Sequence, residues 1–578
     1  MYQVKQKAGA LALSLLMLLS LISGCGSANT STLDSEAASS KRVESVPAES
    51  LAITEEQEKF AASDLISIEE PTESEVPSDF SIDTFDWGTV EFPLTTEEKT
   101  FTYFFATQPF MMSYAGSFDY ENLPFFTTME ERSGIHLKLT VVPMMNASEQ
   151  FNLMITSGDY ANLIEGVPDY YNGSIDDAIS EEVIYGMDDI VADYMPNYEK
   201  WLNYDVDYRR ALTSPEGELY AAGYLKVGTV SATTGGLIRQ DWLDEANLDV
   251  PLTYDEMDAA LAAFQSNGHS GALWMNTGLK ETGSNYNICS GYDVSNGFLV
   301  KDGVVEYTYV TDCYRDYVEL LNSWWNKGYI YSDFITVEGE IDTGLVLNGD
   351  IGVWSGANSA AELMEESATD GLQITPFSSL RKNADDQLHI GISNTSVQGT
   401  ISISTTTKPD DIELLAKWMD YQYSYDGFML SNYGEQGVAY ELDADGQPQL
   451  TDLVVNSTDY ITPVGIVLYT KYGGCGICYD VREYFSWSDS DWAASETWTY
   501  NNDTDYMLPY NMSLSTEEKE VYATYFNDLK TYIDENLLMF ITGEAPITEW
   551  DTFVDVVYSM GMQEVIDAYQ SAYDRYIA

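Results

Sequence analysis

From about residue 91 to the end of the chain, short runs rich in β-branched and aromatic residues alternate with segments of helical periodicity. Residues Ile135 to Val142 alternate as a half-buried strand does, whereas Thr253 to Glu256 and Ser515 to Glu518 are capping boxes, which begin helices. A segment of about 480 residues exceeds what one hydrophobic core supports, so two lobes are expected. The sequence therefore predicts an α/β fold of open sheets with helices on both faces, in which ligands bind beyond the strand ends.

The start of the chain has the pattern of a secretion signal. An apolar run from Ala8 to Ile22 follows Lys5 and Lys7, and it is too short to span a membrane comfortably. The residues from Ile22 to Cys25 resemble the bacterial lipoprotein box. We therefore expect residues 1–24 to be a lipoprotein signal peptide and Cys25 to carry the lipid anchor, with ordinary secretion and an incidental cysteine as the alternative.

The next segment, residues 25–90, is acidic and rich in serine and alanine, with prolines at positions 47, 71 and 77. It has no sustained apolar period, so it cannot bury enough surface to become ordered. We expect a disordered linker with a reach of roughly 40 Å, which would hold the folded body away from the membrane.

The charge of the chain limits its partners. There are 26 Lys and Arg against 94 Asp and Glu, which gives a net charge of −68. This charge excludes nucleic acid as a partner and favours a neutral or cationic ligand over an anionic one. For any single carboxylate, a solvated acidic surface remains the alternative.

Histidine and cysteine offer little to a catalytic or metal centre. The three histidines, His136, His269 and His389, are widely separated in the sequence. Two cysteines flank a predicted hairpin turn at Lys301–Gly303, and two more have the CxxC spacing of a metal or redox pair. These four residues are Cys289, Cys313, Cys475 and Cys478. Disulfides and free buried thiols stay open as alternatives, and no complete zinc pattern is present.

Several segments occur in an order that resembles a known family. They include GIHLKLTVVP, FNLMITSGDYANLI, LIRQDWLDEANLDVPLTYDEM, LNGDIGVWSG and the stretch from Phe540 to Tyr576. The chain resembles extracellular solute-binding protein family 1, and specifically the large lipoprotein branch in Gram-positive bacteria that serves carbohydrate ABC importers. The family usually has Pro and Asp where this chain has Ala161 and Asn162, a departure at the edge of the expected cleft.

The resemblance implies a two-lobed, periplasmic-binding-protein-like fold of type II with a hinged cleft. Closure around a solute would follow from contacts that the ligand makes with both lobes only in the closed state. The expected N-terminal lobe comprises residues 91–230 and 372–422, and the C-terminal lobe comprises residues 231–371 and 423–578. The expected crossings between lobes are Gly223–Gly235, Trp354–Gly371 and Tyr421–Gly427.

Sugars present flat C–H faces and rims of hydroxyl groups, so a sugar site needs aromatic platforms and a few planar amides or carboxylates. Within the resemblance, loops that leave strand ends should face the cleft. The expected ligand-binding residues of the first lobe are Gln108, Phe110, Tyr114, Glu165, Asp169, Tyr170 and Tyr171. Those of the second lobe are Trp274, Asn276, Glu281, Tyr286 and Trp354, with Trp354 on a crossing.

The stretch Asp443-Ala-Asp445-Gly446 has alternating carboxylates before a glycine, which can wrap a calcium ion. A hairpin turn explains the same residues, and it is kept as the alternative. No other cofactor is expected.

The sequence therefore predicts a substrate-binding lipoprotein of an ABC importer. It would be a monomer on the extracellular face of the cell membrane that delivers an oligosaccharide or related neutral solute to permease subunits. It is not expected to be an enzyme. An oligopeptide-binding lipoprotein and a surface glycoside hydrolase, which also uses carboxylates and aromatic residues, are the alternatives.

Overall fold

A computed structural model describes residues 85–107, 111, 119–227, 232–275, 286–335, 341, 343–369, 371–391, 396–444, 446–455, 457, 460, 462–471, 474–479 and 489–578. All of them belong to one compact unit, Ala61–Ala578. The strands are β1 (Lys99–Thr107), β2 (Ile135–Pro143), β3 (Leu163–Glu165), β4 (Ala222–Val227), β5 (Thr234–Arg239), β6 (Phe298–Lys301), β7 (Val304–Tyr307), β8 (Val353–Ala357), β9 (Ile374–Phe377), β10 (Val397–Ile403), β11 (Tyr440–Leu442), β12 (Pro448–Leu450) and β13 (Gly476–Tyr479).

The helices follow the same chain order. They are α1 (Pro124–Ser133), α2 (Ala147–Ser157), α3 (Val167–Tyr170), α4 (Ile175–Ser180), α5 (Asp188–Tyr194), α6 (Pro196–Tyr204), α7 (Val206–Ala211), α8 (Gln240–Ala246), α9 (Tyr254–Ser266), α10 (Tyr286–Cys289), α11 (Asp312–Lys327), α12 (Thr343–Leu347), α13 (Asn358–Ser367), α14 (Pro409–Tyr421), α15 (Tyr425–Tyr433), α16 (Asp452–Val455), α17 (Thr462–Tyr469), α18 (Asp489–Thr499), α19 (Thr516–Thr542), α20 (Trp550–Ser559) and α21 (Met562–Ile577).

The first lobe is built on a six-stranded sheet of order β13-β4-β10-β3-β1-β2. Strand β1 pairs in parallel with β2 on one side and with β3 on the other. Strand β10 runs antiparallel between β3 and β4. One buried cluster joins this sheet to its helices, with Phe151, Trp201, Trp418 and Phe428 at its centre.

The second lobe has a three-stranded antiparallel sheet of order β8-β5-β9 and a separate buried cluster. The sequence of helix α11 contains the signals that begin, continue and end a helix. Its buried side chains recur at helical spacing, its Thr311 N-cap accepts a hydrogen bond from the Tyr314 amide at 3.2 Å, and Gly328 ends it with φ of 74°. The buried face packs on α19, the longest helix among the described residues.

Several local expectations are confirmed. Both capping boxes are formed, at Thr253 for α9 and at Ser515 for α19. Strands β6 and β7 make the hairpin expected around Lys301–Gly303. The Cys289 thiol, beside this hairpin, donates a hydrogen bond to the carbonyl oxygen of Val294 at 3.3 Å.

The division between the lobes differs from the expected one. Strand β9 pairs with β5 in the second lobe, although residues 372–422 were assigned to the first lobe. Strand β13 pairs with β4 in the first lobe, although residues 423–578 were assigned to the second. The reason is that β8, α13 and β9 stay with one core, and α14 and α15 stay with the other. Of the three expected crossings, the one between β4 and β5 therefore matches the strand pairing, whereas the other two lie after β9 and after β13.

Residues 85–90, at the end of the expected linker, pack against the first core. The Phe85 ring stacks on Trp201 with centroids 4.0 Å apart, and Trp87 lies edge-on to the same indole at 5.3 Å. Through these aromatic contacts the chain packs against the first core from residue 85 onward. Residues 25–84, which include the expected anchor residue Cys25, lie outside the described residues. Within the part of the chain that the structure describes, no helix is both long enough and apolar enough to span a bilayer.

Candidate ligand-binding site

A cavity of about 410 Å³ opens at the edge of the six-stranded sheet where β1 and β3 end. These strands are parallel, so their carboxyl ends meet at the same edge, and the antiparallel β10 begins there. Side chains two residues apart on a strand share one face, and Tyr103, Phe105 and Thr107 of β1 accordingly all line the cavity. The cavity lies where open α/β sheets hold their ligands.

Aromatic rings form one wall of this cavity. Phe105 is stacked on Phe126 with centroids 6.4 Å apart, and Tyr120 lies edge-on to Phe105 at 6.1 Å. The Tyr120 hydroxyl is 2.9 Å from Thr107 Oγ1, which fixes the ring. Tyr510 also lines the cavity, and 67% of its surface is exposed. Such rings offer flat apolar faces to a ligand that has C–H faces of its own.

Glu165, the last residue of β3, supplies a carboxylate to the cavity. Its Oε2 accepts a hydrogen bond from the Tyr103 hydroxyl at 2.6 Å. Burial raises the pKa of Glu165 to about 7, and the Tyr103 hydrogen bond and the charge of Lys471 oppose that rise. The group is therefore divided between its protonated and ionised forms near neutral pH.

Lys471 supplies a buried cation at the cavity wall, where it is 6% exposed. Its Nζ donates to Gln422 Oε1 at 2.6 Å and to the carbonyl oxygen of Cys475 at 3.1 Å. Gly474 leaves room for this ammonium, because a Cβ there would lie 2.8 Å from Nζ, and its φ of 84° also favours glycine. The positive charge is thus held in place by the Gln422 side chain and the Cys475 backbone.

Asp169 and Tyr170 come from the short helix α3, which begins directly after β3. Its N-cap, Gly166, has a φ of 73°, and a Cβ there would clash with the Tyr170 ring at 2.6 Å. Burial raises the pKa of Asp169, and burial together with Asp169 and Glu165 raises that of Tyr170 to about 12. The cavity therefore combines aromatic rings, phenol hydroxyls, two carboxylates and one cation.

The structure brings three of the expected residues together, namely Glu165, Asp169 and Tyr170. Tyr171 is next to them in sequence, but its hydroxyl donates to Glu181 Oε2 at 2.7 Å and it does not line the cavity. Gln108, Phe110 and Tyr114 lie outside the described residues.

The expected residues of the second lobe are placed differently. Trp354 and Trp274 are each 1% exposed in a buried cluster with Leu237 and Trp498, away from the lining of the cavity. Trp354 lies within β8 and not on a crossing, because β8 pairs with β5. Tyr286 packs against the second core, and Asn276 and Glu281 lie outside the described residues. Contact between these five residues and a ligand stays a prediction.

Sequence reasoning missed the other lining residues, among them Tyr103, Gln398, Lys471 and Tyr510. The alternation of β1 could have indicated Tyr103, because it shares the face of Phe105. No local pattern marks Lys471 or Tyr510, since they reach the cavity from segments more than 300 residues beyond β1.

The expected calcium stretch lies in a hairpin of β11 and β12, which the alternative interpretation expected, and calcium binding there stays a prediction. The Asp443 carboxylate accepts hydrogen bonds within the turn, from the Gln447 amide at 2.8 Å, and Asp445 lies outside the described residues. Elsewhere in the described part, His389, Asp503 and Asp505 bring ligand atoms within 4.8 Å of one another. A surface hydrogen bond of 3.0 Å between His389 Nδ1 and Asp503 accounts for this grouping.

Two known proteins with related sequences are named for the oligosaccharides or polysaccharides that they bind. No family model matches the chain. The fructooligosaccharide ABC transporter substrate-binding protein FusA of Streptococcus pneumoniae is 23% identical over 528 residues, which cover 85% of this chain and 92% of FusA. The polygalacturonan/rhamnogalacturonan-binding protein YtcQ of Bacillus subtilis is 22% identical over 462 residues, which cover 77% of this chain and 87% of YtcQ. The chain is related to the solute-binding proteins of ABC transporters.

Two solved structures share the fold of this chain. The alginate-binding protein AlgQ2, crystallised without calcium ion, matches with a TM-score of 0.64 and 20% identity, over 83% of this chain and 99% of AlgQ2. An EF-hand mutant of FusA in complex with fructo-nystose matches with a TM-score of 0.63 and 21% identity, over the same shares. The resemblance and the two-lobed fold predicted from the sequence are confirmed.

Proposed function

We propose that this chain is the substrate-binding component of an ABC importer and that it captures an oligosaccharide in the cavity at the ends of β1 and β3. The observation that carries the proposal is the composition of that cavity, in which stacked aromatic rings stand beside Glu165 and Asp169. Its volume of about 410 Å³ lies within the range of about 300–1,000 Å³ for small-molecule sites. The ligands named for FusA and YtcQ point to the same chemical class.

Each part of the cavity has a role in sugar recognition. The Phe105 and Phe126 rings offer apolar faces on which a sugar ring can lie. Glu165 and Asp169 accept hydrogen bonds from hydroxyl groups when they are ionised, and each can donate one when it is protonated. The Lys471 ammonium has donors only, so it orients a ligand oxygen.

Closure of the two lobes would complete the site. The cavity is formed mainly by the first lobe, and Tyr510 reaches it from the segment that precedes α19 of the second lobe. A ligand that touches both lobes only when they are close together shifts the population toward the closed form. A membrane permease would then recognise that form, and the lipid on Cys25 would keep the protein beside it.

In this proposal the protein binds its solute as a monomer and does not convert it. Binding needs no cofactor, because the recognition groups are the side chains of the cavity. Oligopeptide binding would be favoured by an acidic cavity, but Lys471 places a buried cation in this one.

Titration calorimetry with a panel of oligosaccharides tests the proposal. Neutral fructooligosaccharides, pectic oligosaccharides and short peptides are titrated into the purified chain, and the solution is then analysed for products. We expect saturable binding of an oligosaccharide without turnover, weakened at least tenfold in Phe105→Ala. An exposed-site variant, Tyr558→Ala, which leaves the cavity unchanged, serves as the control. Binding of peptides alone, or release of shortened glycans, would overturn the proposal.

A further inference from the structure

A second cavity, of about 240 Å³, lies apart from the sugar cavity. One side of it is formed by α7 and the loop Thr213–Gly217, and the other by Met512, Ser513 and the end of α21. Helix α7 packs in the first core through Tyr208, whereas α21 packs in the second through Val565. The cavity therefore lies between elements of the two lobes.

The lining of this cavity is unlike the rest of the chain. Three arginines, Arg209, Arg210 and Arg575, share it with hydroxyl side chains, and no carboxylate is among the lining residues that the structure describes. In the whole sequence, acidic residues outnumber Lys and Arg by 94 to 26. The carboxylates that pair with these arginines, Glu518, Asp188 and Asp207, are not among the lining residues, so the charged groups that line the cavity are all positive.

The guanidinium of Arg575 is fixed in place. It makes two hydrogen bonds with the Glu518 carboxylate, at 2.9 and 2.7 Å, and donates to the Ser513 carbonyl oxygen at 3.1 Å. The side-chain hydrogen bond with Glu518 raises the pKa of Arg575 further. This arginine is therefore a rigid wall of the cavity whose position does not depend on a ligand.

Arg209 and Arg210 are held by longer contacts. Arg209 Nη1 is 3.7 Å from Asp188, and Arg210 reaches Asp207 at 3.3 Å and the Ile577 carbonyl oxygen at 3.4 Å. A guanidinium has five N–H donors, so these contacts leave donors that can turn toward the cavity. Arginine recognises phosphate groups well because its planar fork matches two of their oxygens.

We propose that this arginine cavity is a binding site for a phosphate group, either free or as the end of a small phosphate ester. The divalent charge of a phosphate suits three guanidiniums better than a single carboxylate does, and the volume suits one phosphate with a small substituent. A phosphate bound here contacts elements of both lobes. Ser513 of the cavity is three residues from Tyr510 of the sugar cavity, so the two sites share one segment of chain.

The test is calorimetric titration of the full chain with inorganic phosphate and with glycerol 1-phosphate, at constant ionic strength. The test variants are Arg210→Gln and Arg209→Gln, which remove one charge each and leave the Arg575–Glu518 pair in place. Arg315→Gln is the matched control, because Arg315 is 34% exposed and pairs with an aspartate three residues away, as the 35% exposed Arg210 does.

We expect saturable binding to the unaltered chain and an affinity at least tenfold lower in both test variants, with Arg315→Gln unchanged. Tighter binding of glycerol 1-phosphate identifies an ester as the ligand, and tighter binding of inorganic phosphate identifies the free anion. Absence of saturable binding for both probes, or an equal loss in Arg315→Gln, overturns the proposal. Melting curves recorded without phosphate test whether each variant is folded. Because Arg209→Gln and Arg210→Gln change different residues, each gives a separate measurement of the affinity for phosphate.

Discussion

Glu165 lines the cavity and has a raised pKa, so its contribution to the free energy of unfolding depends on pH. Its pKa is about 7 in the folded protein against 4.5 for an ordinary glutamate. Between these values the folded chain holds more protons than the unfolded chain, so the free energy of unfolding falls as the pH rises through this window. Glu165→Gln removes this contribution and still accepts the Tyr103 hydrogen bond.

We expect the free energy of unfolding of Glu165→Gln to increase relative to that of the unaltered chain as the pH rises from 4.5 to 7. Above pH 7 the difference should stay constant. Urea unfolding at several pH values measures it. A stability difference that does not vary with pH would show that Glu165 titrates normally.

Lys471 is the second residue with a testable role. Lys471→Met would leave Gln422 Oε1 and the Cys475 carbonyl oxygen without their donor, at a cost of about 1–3 kcal/mol. It would also raise the pKa of Glu165, because the lysine charge lowers it. Chemical denaturation and a pH titration followed by NMR check both effects. Lys417→Met, at an exposed helix position, should change neither.

At this scale the sequence identified the carboxylates better than the other groups. Glu165 and Asp169 follow a short apolar strand, so their place at a sheet edge can be read locally. Lys471 and Tyr510 could not be found in this way, since their position depends on contacts between distant segments. Trp354 shows the opposite problem, because a tryptophan after a strand-like run satisfies a core position as well as a ligand platform.

Single elements were the most predictable level of the structure. Capping boxes and the Lys301–Gly303 hairpin depend on neighbours in sequence, and both formed as expected. Two of the three crossings between lobes were not predictable from glycine content, because they depend on which sheet each strand joins. Strand β9 carries no local mark that distinguishes a partner in one lobe from a partner in the other.

The start of α19 offers a prediction for one element. Ser515→Ala removes the hydroxyl that accepts the Glu518 amide at 3.3 Å, which should lower the free energy of unfolding by about 1 kcal/mol. Glu518→Gln should lower the free energy of unfolding by more than Ser515→Ala does, because the Glu518 carboxylate also forms an ion pair with Arg575. Thr524→Ala, at an exposed site inside the same helix, should not destabilise the protein. Equal stability of all three variants would contradict this account of the cap.

For the molecule as a whole, ligand binding should bring the lobes together. Small-angle scattering should show a smaller radius of gyration at saturation with a bound oligosaccharide than without it, because closure removes the open cleft. A sugar that does not bind in calorimetry is the control. An unchanged radius of gyration at saturation would mean that the lobes do not move.

The proposed anchor also concerns the whole molecule. Cys25→Ala removes the residue that would carry the lipid, so the protein should move from the membrane fraction to the medium. Immunoblotting of fractionated cells measures the distribution, and Cys313→Ala is a control that leaves the proposed lipidation residue intact. Retention of Cys25→Ala in membranes would rule out this anchor.

The position of β10 affects how the chain folds during its synthesis. Strand β10 lies between β3 and β4, which do not pair with each other. The edges of β3 and β4 that pair with β10 therefore stay unpaired until β10, which ends at residue 403, has been synthesised. By then all three strands of the second sheet, which end at Phe377, already exist. The nascent chain can thus complete the later sheet before the earlier one, and the unpaired edges of β3 and β4 are exposed to aggregation until β10 is made.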